Sequence, residues 1–266
     1  MAVRAVLATA HPRDKAACAR RVAADWFAGR FSLVERGTPL PDQGDPARPA
    51  RPELTDPKNV PRRRLHTVHG RVALLHAIAH IEFNAIDLAF DLVARFASDP
   101  RIPEPERTGF ISDWIRVGDD EARHFILVEE RLNALGAHYG DLPAHNGLWD
   151  AARATADDLA ARLAVAPLVL EARGLDVTPA MIERLKSADD SESAAILTTI
   201  YTEEVAHVAA GAKWFRTVCR TEQVDAKSRF HELVETRFKG QLKMPFNEAA
   251  REKAGLPADF YRPLAG

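Results

Sequence analysis

Cysteine, methionine and tyrosine are scarce in this chain, its net charge is close to zero, and strand-length alternation of apolar and polar residues is almost missing. Each shortage excludes something. Cys18 and Cys219 lie far apart and form no CxxC pair, so neither a disulfide framework nor a rubredoxin-like site is expected, and a reducing compartment is. Lys plus Arg number 36 against 38 Asp plus Glu, a net charge of -2 that gives no overall attraction to nucleic acid or to a membrane surface. Nothing approaches about 18 consecutive apolar residues, and the opening "MAVRAVLATAHPRDK" has too short an apolar stretch for a signal peptide. A cytoplasmic protein with no membrane partner is therefore expected. What is present is 46% apolar content over 266 residues, enough for a substantial core in one large domain with extensions.

The missing strand pattern leaves helices. Periodicity predicts an amphipathic helix over residues 13–28, stopped by Gly29, and then a segment over 31–61 too rich in proline for a helix and too long for an ordinary connection. Long helices are predicted over 67–97, 106–135, 150–173 and 191–220, with a short one over 179–187 and a last one over 225–238. The expected organisation is an N-terminal helix and Pro-rich arm (1–65), an all-α four-helix bundle (66–220) and a C-terminal helix and tail (221–266).

Two short runs carry chemistry. "DDEARHF" (119–125) and "TEEVAHV" (202–208) contain the two Glu-x-x-His matches of the chain, Glu121 with His124 and Glu204 with His207. Both fall in phase with apolar stripes, Phe110, Trp114, Val117, Phe125 and Val128 around the first, Ile196, Ile200, Val208 and Phe215 around the second. A buried carboxylate costs several kcal/mol unless it is paired, protonated or bound to metal. Residues three apart share a helix face, so each pair offers an oxygen and a nitrogen to one ion. Two ions would need two further acids from the other long helices. Glu82 is the lone acid on the apolar face of the first, and Glu171, in "APLVLEARG", is that of the third. Glu121 follows Glu82 by 39 residues and Glu204 follows Glu171 by 33, each long enough to run down a helix and return to the same height. An oxygen-rich set with one imidazole per ion suits iron or manganese better than zinc.

The runs "LLHAIAHIEFNAIDLAFD", "DDEARHF", "HYGDLPAHNGLWD", "APLVLEARGLDVTP" and "IYTEEVAHV" resemble the ferritin-like superfamily and, within it, the DUF455 family, over about residues 51–214. The resemblance implies a ferritin-like four-helix bundle with extra N- and C-terminal helices, and Glu82, Glu121, His124, Glu171, Glu204 and His207 as ligands of two metal ions, Fe/Fe or Fe/Mn. It implies no substrate.

Asp120 and Glu203 each precede a ligand Glu; in related di-iron bundles an acid there accepts the second ring N–H of the opposite hairpin's His, and the plain alternative is a surface acid. Tyr201, three residues before Glu204, is the candidate catalytic side chain, open to hydrogen bonding with a ligand carboxylate or to oxidation; as a bland reading it is an ordinary core tyrosine. Trp114, Phe125 and Ile200 are expected to line the space beside the metals. Pro167, one turn before Glu171, predicts a kink or bulge. His76, His80, Asn84, Asp87 and Asp91 form a stripe turned away from Glu82, read first as a solvated face and second as a polar site against the N-terminal segment. Arg62, Arg63 and Arg64 read as a solvated loop before a phosphate or RNA contact.

The leading expectation is an O2-dependent di-iron oxidase or oxygenase, monomer or homodimer, with an organic substrate and an electron donor that the sequence does not identify. The alternatives are ferritin-type iron handling, peroxide scavenging, and a metal-free helical scaffold.

Overall fold

The protein is described by a computed structural model covering residues 2–33, 44–59 and 65–266. Among those residues every regular element is a helix, apart from two isolated bridges, Leu54 with Ala144 and Leu242 with Ala265. α1 (Ala2–Leu7) and α2 (Pro12–Phe27) come first, followed by a hairpin of α3 (Val68–Phe96) and α4 (Arg107–Ala134). α5 (Gly147–Ala154) links it to a rod made of α6 (Leu159–Val165), a π-helical stretch (Ala166–Glu171) and α7 (Ala172–Lys186). α8 (Ser191–Glu222) returns along that rod, and α9 (Ala226–Arg237), α10 (Glu248–Lys253) and α11 (Ala258–Tyr261) close the chain. Local chemistry sets the starts: the Thr67 side chain accepts from the Gly70 N–H at 3.0 Å ahead of α3, and Asp190 accepts from the Ser193 N–H at 3.1 Å ahead of α8.

α3 is the centre. It packs against α4 along its length and is covered elsewhere by α1, α2, α5 and α6. By length and composition it could cross a membrane, but 89% of its most apolar window is buried inside the fold. One continuous apolar cluster runs from Val6 to Tyr261 and takes in the thiols of Cys18 and Cys219, both free.

Two sequence expectations are corrected. The third long helix does not begin near 150 or stop at "GLDVTP"; it starts at Leu159 and continues through Pro179 to Lys186. Pro179 has no N–H for the carbonyl of Leu175, and that oxygen instead accepts from the Asn247 side chain at 3.1 Å. The C-terminal tail thus supplies the bond that the helix cannot. The bulge expected from Pro167 is present as the π-helical stretch ending at Glu171.

The second correction concerns the stripe on α3. His76, His80, Asn84, Asp87 and Asp91 are buried, not solvated. Asp87 pairs with the buried ammonium of Lys15 from α2 and with Arg48 at 3.2 Å, and Asp91 pairs with Arg162 of α6 at 2.5 Å. His80 donates from Nε2 to the His145 carbonyl (3.1 Å) and accepts at Nδ1 from the Tyr139 hydroxyl (2.9 Å). Burial pushes His76 and His80 down to about 4, so both rings are neutral at pH 7. The covering groups come from far along the chain, which is why helical phase on α3 alone reads as a wet face.

Gly211 and Gly174 sit in helices for opposite reasons. A Cβ on Gly211 would stand 2.5 Å from Cβ of Pro167, so the π-helical stretch is seated on a missing side chain. Gly211→Ala is expected to lower stability by about 1–3 kcal/mol through overpacking, whereas Gly174→Ala, whose Cβ would meet nothing within 4 Å, should raise it by up to about 1 kcal/mol. Urea unfolding of the two variants checks the pair; equal effects would mean that Pro167 is not held this way.

Candidate metal centre

Four helical segments bring six side chains to one place. Glu82 comes from α3, Glu121 and His124 from α4, Glu171 from the end of the π-helical stretch, and Glu204 and His207 from α8. Donor atoms of Glu82, Glu121, His124 and Glu204 lie within 4.8 Å of one another. His207 joins them, with Nδ1 at 3.0 Å from Oε1 of Glu121 and 3.6 Å from Oε2 of Glu204. On the other side Nδ1 of His124 lies 3.3 Å from Oε2 of Glu82 and 3.4 Å from Oε2 of Glu121. The two oxygens of Glu121 therefore face different imidazoles, and this carboxylate stands between the two rings. Glu171 borders the same cavity as Glu82, Glu121 and Glu204.

The outer ring nitrogens are held crosswise. Nε2 of His124, on α4, is 2.6 Å from Oε2 of Glu203 on α8, and Nε2 of His207, on α8, is 3.3 Å from Oδ2 of Asp120 on α4. Each acid accepts a hydrogen bond from the Nε2–H and so turns Nδ1 toward the cluster. Arg123 ties the two acids together, at 3.0 Å from Asp120 and 2.5 Å from Glu203. Sequence reading missed Arg123, although it stands three residues after Asp120 on the same helix face. Burial raises Asp120 and Glu203, but the bonds from the imidazoles and from Arg123 outweigh it and hold both below the usual carboxylate range. Arg123→Ala leaves two acids without their shared cation and two rings less firmly oriented, so metal affinity should fall about 10–100-fold, measured by chelator competition. Unchanged affinity would reduce Arg123 to a surface ion pair.

Burial and mutual charge set the protonation of the cluster. Burial, and then the charge of Glu121, raise Glu82 and Glu204 above the ordinary carboxylate value. Burial with the charges of Glu204 and Glu121 lifts Glu171 to about 8. Burial would also raise Glu121, but His207 and His124 overcome it and keep Glu121 far below its ordinary value. The same carboxylates lift His124 to about 11 and His207 well above its ordinary value, against the opposing effect of burial. Without metal the cluster carries protons on both imidazoles and on its raised carboxyls around an ionised Glu121, and a cation entering it would have to displace those protons.

Glu82 Oε2, both oxygens of Glu121, His124 Nδ1, Glu171 Oε2, Glu204 Oε2 and His207 Nδ1 are buried with no hydrogen-bond partner. These atoms belong to the six residues, of which Glu82, Glu121, His124 and Glu204 bring donor atoms within 4.8 Å of one another and Glu171 borders the same cavity. Leaving that many buried polar atoms unsatisfied is unfavourable, and four carboxylates with two imidazoles are the donor types that hold hard divalent ions.

A cavity of about 180 Å³ lies beside the cluster, with Glu82, Glu121, Glu171 and Glu204 at one end and Ile78, Leu197 and Ile200 among its walls. Of the expected pocket residues, Ile200 lines it and Trp114 and Phe125 do not. Phe125 packs against Phe83 and Tyr139, and Trp114 meets Phe110 edge-on. Tyr201 also lies outside the lining, its hydroxyl accepting from the Asn247 side chain at 3.0 Å. A larger cavity, about 330 Å³ between α2, the end of α3 and the start of α4, holds none of the six residues. Arg62, Arg63 and Arg64 fall outside the described residues.

The family model described as "Protein of unknown function (DUF455)" matches residues 8–262. A protein of Haemophilus influenzae described as "Uncharacterized protein" is 42% identical over 221 residues, 82% of this chain and 75% of that one. No solved structure matches. With nearly the whole chain inside the family model and this identity to a relative, the chain belongs to the DUF455 family.

Proposed function

We propose that this protein is a two-metal oxidoreductase of the ferritin-like type, holding two irons, or iron with manganese, and using O2 to oxidise or hydroxylate a small organic molecule. The observation that carries this reading is the convergence of seven buried donor atoms, from six residues on four helical segments, that make no hydrogen bond among the described residues. α3, α4, the α6–α7 rod and α8 are then the four helices of the bundle. Bound there, a pair of redox-active ions would pass two electrons to O2, and for hydroxylation a separate electron donor would restore them between turnovers. The chain supplies the rest. Glu121 holds the two half-sites together, Glu82, Glu171 and Glu204 balance charge, and Asp120 and Glu203 fix the rings of His207 and His124. The apolar walls keep bulk water away from the inner end of the cavity.

The cavity favours an enzyme over iron storage, because a side chamber ending on the ligand carboxylates serves an organic substrate and serves an iron mineral poorly. The test is anaerobic loading with ferrous ion, exposure to O2, and sizing of the same sample. Two irons per chain, O2 uptake and the elution of a monomer or dimer are expected. A cage-sized particle that accumulates ferric mineral would mean iron storage, and absence of both metal and O2 uptake would leave a helical scaffold.

A further inference from the structure

The cavity beside the cluster has two chemically different ends. The inner end is made of carboxylates, and in the two-metal reading four of them balance two divalent ions, so it offers no net charge to an anion. The walls are apolar, from Ile78, Ala85, Val177, Met181 and Leu197. Ile81, on the wall and 44% exposed, marks where the cavity meets solvent. Arg173, the one cation in the lining among the described residues, also reaches solvent, with its side chain 36% exposed.

Arg173 is anchored but not neutralised. Its Nη1 donates to the carbonyls of Lys243 (2.7 Å) and Pro245 (3.0 Å) in the C-terminal tail, and among the described residues its Nε and Nη2 make no hydrogen bond. The nearest acid, Asp176, lies 3.4 Å from Nη1, but that carboxylate already takes two bonds from the buried Arg251, at 2.8 Å and 2.7 Å, and one from the Asn247 N–H at 2.9 Å. The charge of Asp176 is spent on Arg251, and half of the Arg173 fork is left open. Next to it, Gly174 belongs to the cavity wall, and a Cβ there would meet nothing within 4 Å. A glycine inside a helix is unfavourable by about 0.5–1 kcal/mol relative to alanine, and no neighbour requires this one. Open space on the cavity side is what its missing side chain provides.

We propose that the cavity binds an amphipathic anion, with its anionic head on the open edge of Arg173 at the mouth and its apolar chain running past Gly174 to the four carboxylates. This rests on the two-metal reading for what happens at the inner end, and not for the binding itself. The head group can be a carboxylate or a phosphate, since the guanidinium fork fits both. Oxidation would then fall on the chain, at the end remote from the head.

The test is calorimetric titration of the full-length protein, with and without metal, using decanoate, decyl phosphate and decylamine, with metal content determined on the same samples. One anion per chain is expected to bind, the better of the two acids identifying the head group, with decylamine at least about ten-fold weaker. Arg173→Gln should weaken anion binding about ten-fold or more and Arg173→Lys should restore part of it, which separates loss of charge from loss of the tail anchor. Gly174→Leu should fill the chamber and abolish binding while two metals per chain remain. Equal binding of amine and acid, or full binding by Arg173→Gln or by Gly174→Leu, would overturn the assignment. Two metals without anion binding would overturn this inference alone, and anion binding by a protein that takes up no metal when metal is supplied would overturn the two-metal reading alone.

Discussion

Glu121→Ala is expected to purify with essentially no stoichiometric metal from cells that load the wild-type chain with two ions. The side chain is fully buried, and its two oxygens lie 3.0 Å from Nδ1 of His207 and 3.4 Å from Nδ1 of His124. Without it each half-site loses an oxygen donor, and the anion that offsets two cations is gone. The remaining acids cannot replace it, because each rises from its own helix toward one half of the cluster. Glu130→Ala, on the same helix but exposed, should keep both ions, so a general effect of losing an acid is separable from loss of this one. Elemental analysis of the two variants decides it. Two ions in Glu121→Ala would mean that the ligands are not the residues named here.

The second large effect is on stability. The metal-free protein should weaken steadily as pH rises from about 5 to 8, and the metal-loaded protein should not. A carboxylate whose value is raised in the folded state is stabilising only while protonated, so its contribution is lost as pH climbs from the unfolded value to the folded one. For Glu171 that window runs from 4.5 to about 8. His124, lifted from 6.5 to about 11, acts with the same sign: its stabilisation is complete below 6.5 and is lost as pH rises toward 11. Glu121 acts the other way, but its value is lowered, so its stabilisation is already complete above 4.5. With Glu171 half-buried and its Oε2 enclosed, the loss across the window is of the order of a few kcal/mol, which for a chain of this size is roughly 10 °C in melting temperature. Metal reverses the trend, because the bound state holds these groups deprotonated and binding tightens as protons become easier to remove. The gap between the loaded and metal-free melting curves should therefore widen with pH. Parallel curves would mean that the cluster does not exchange protons for metal.

Much of this was legible in the residues. Helical phase put Glu121, His124, Glu204 and His207 on apolar stripes, and the search for two further lone acids on the other helices led to Glu82 and Glu171, which the fold brings to the same cavity. Periodicity reports such residues well because they sit at the inward positions of long helices. It reports poorly what depends on distant chain. The stripe from His76 to Asp91 is buried because Lys15, Arg48, Tyr139 and Arg162 cover it, and no pattern within α3 announces them. Pro179 looked like a helix start because the bond that compensates for it comes from Asn247 in the tail. The same asparagine engages Tyr201, which otherwise has the spacing of a side chain beside the cluster. Trp114 and Phe125 share helical phase with Glu121, yet they sit above and below it along α4 and pack on other aromatic rings. Phase gives the face of a helix, and the neighbouring helices decide which part of that face meets open space.

The most direct test of the two-metal centre is an anaerobic titration of the metal-free wild-type chain with ferrous ion, counting bound iron and released protons together. Saturation at two irons per chain, with protons released as each ion enters, is the predicted result. Saturation at one iron, no binding, or binding without proton release would contradict the assignment of Glu82, Glu121, His124, Glu171, Glu204 and His207 as a ligand set for two ions.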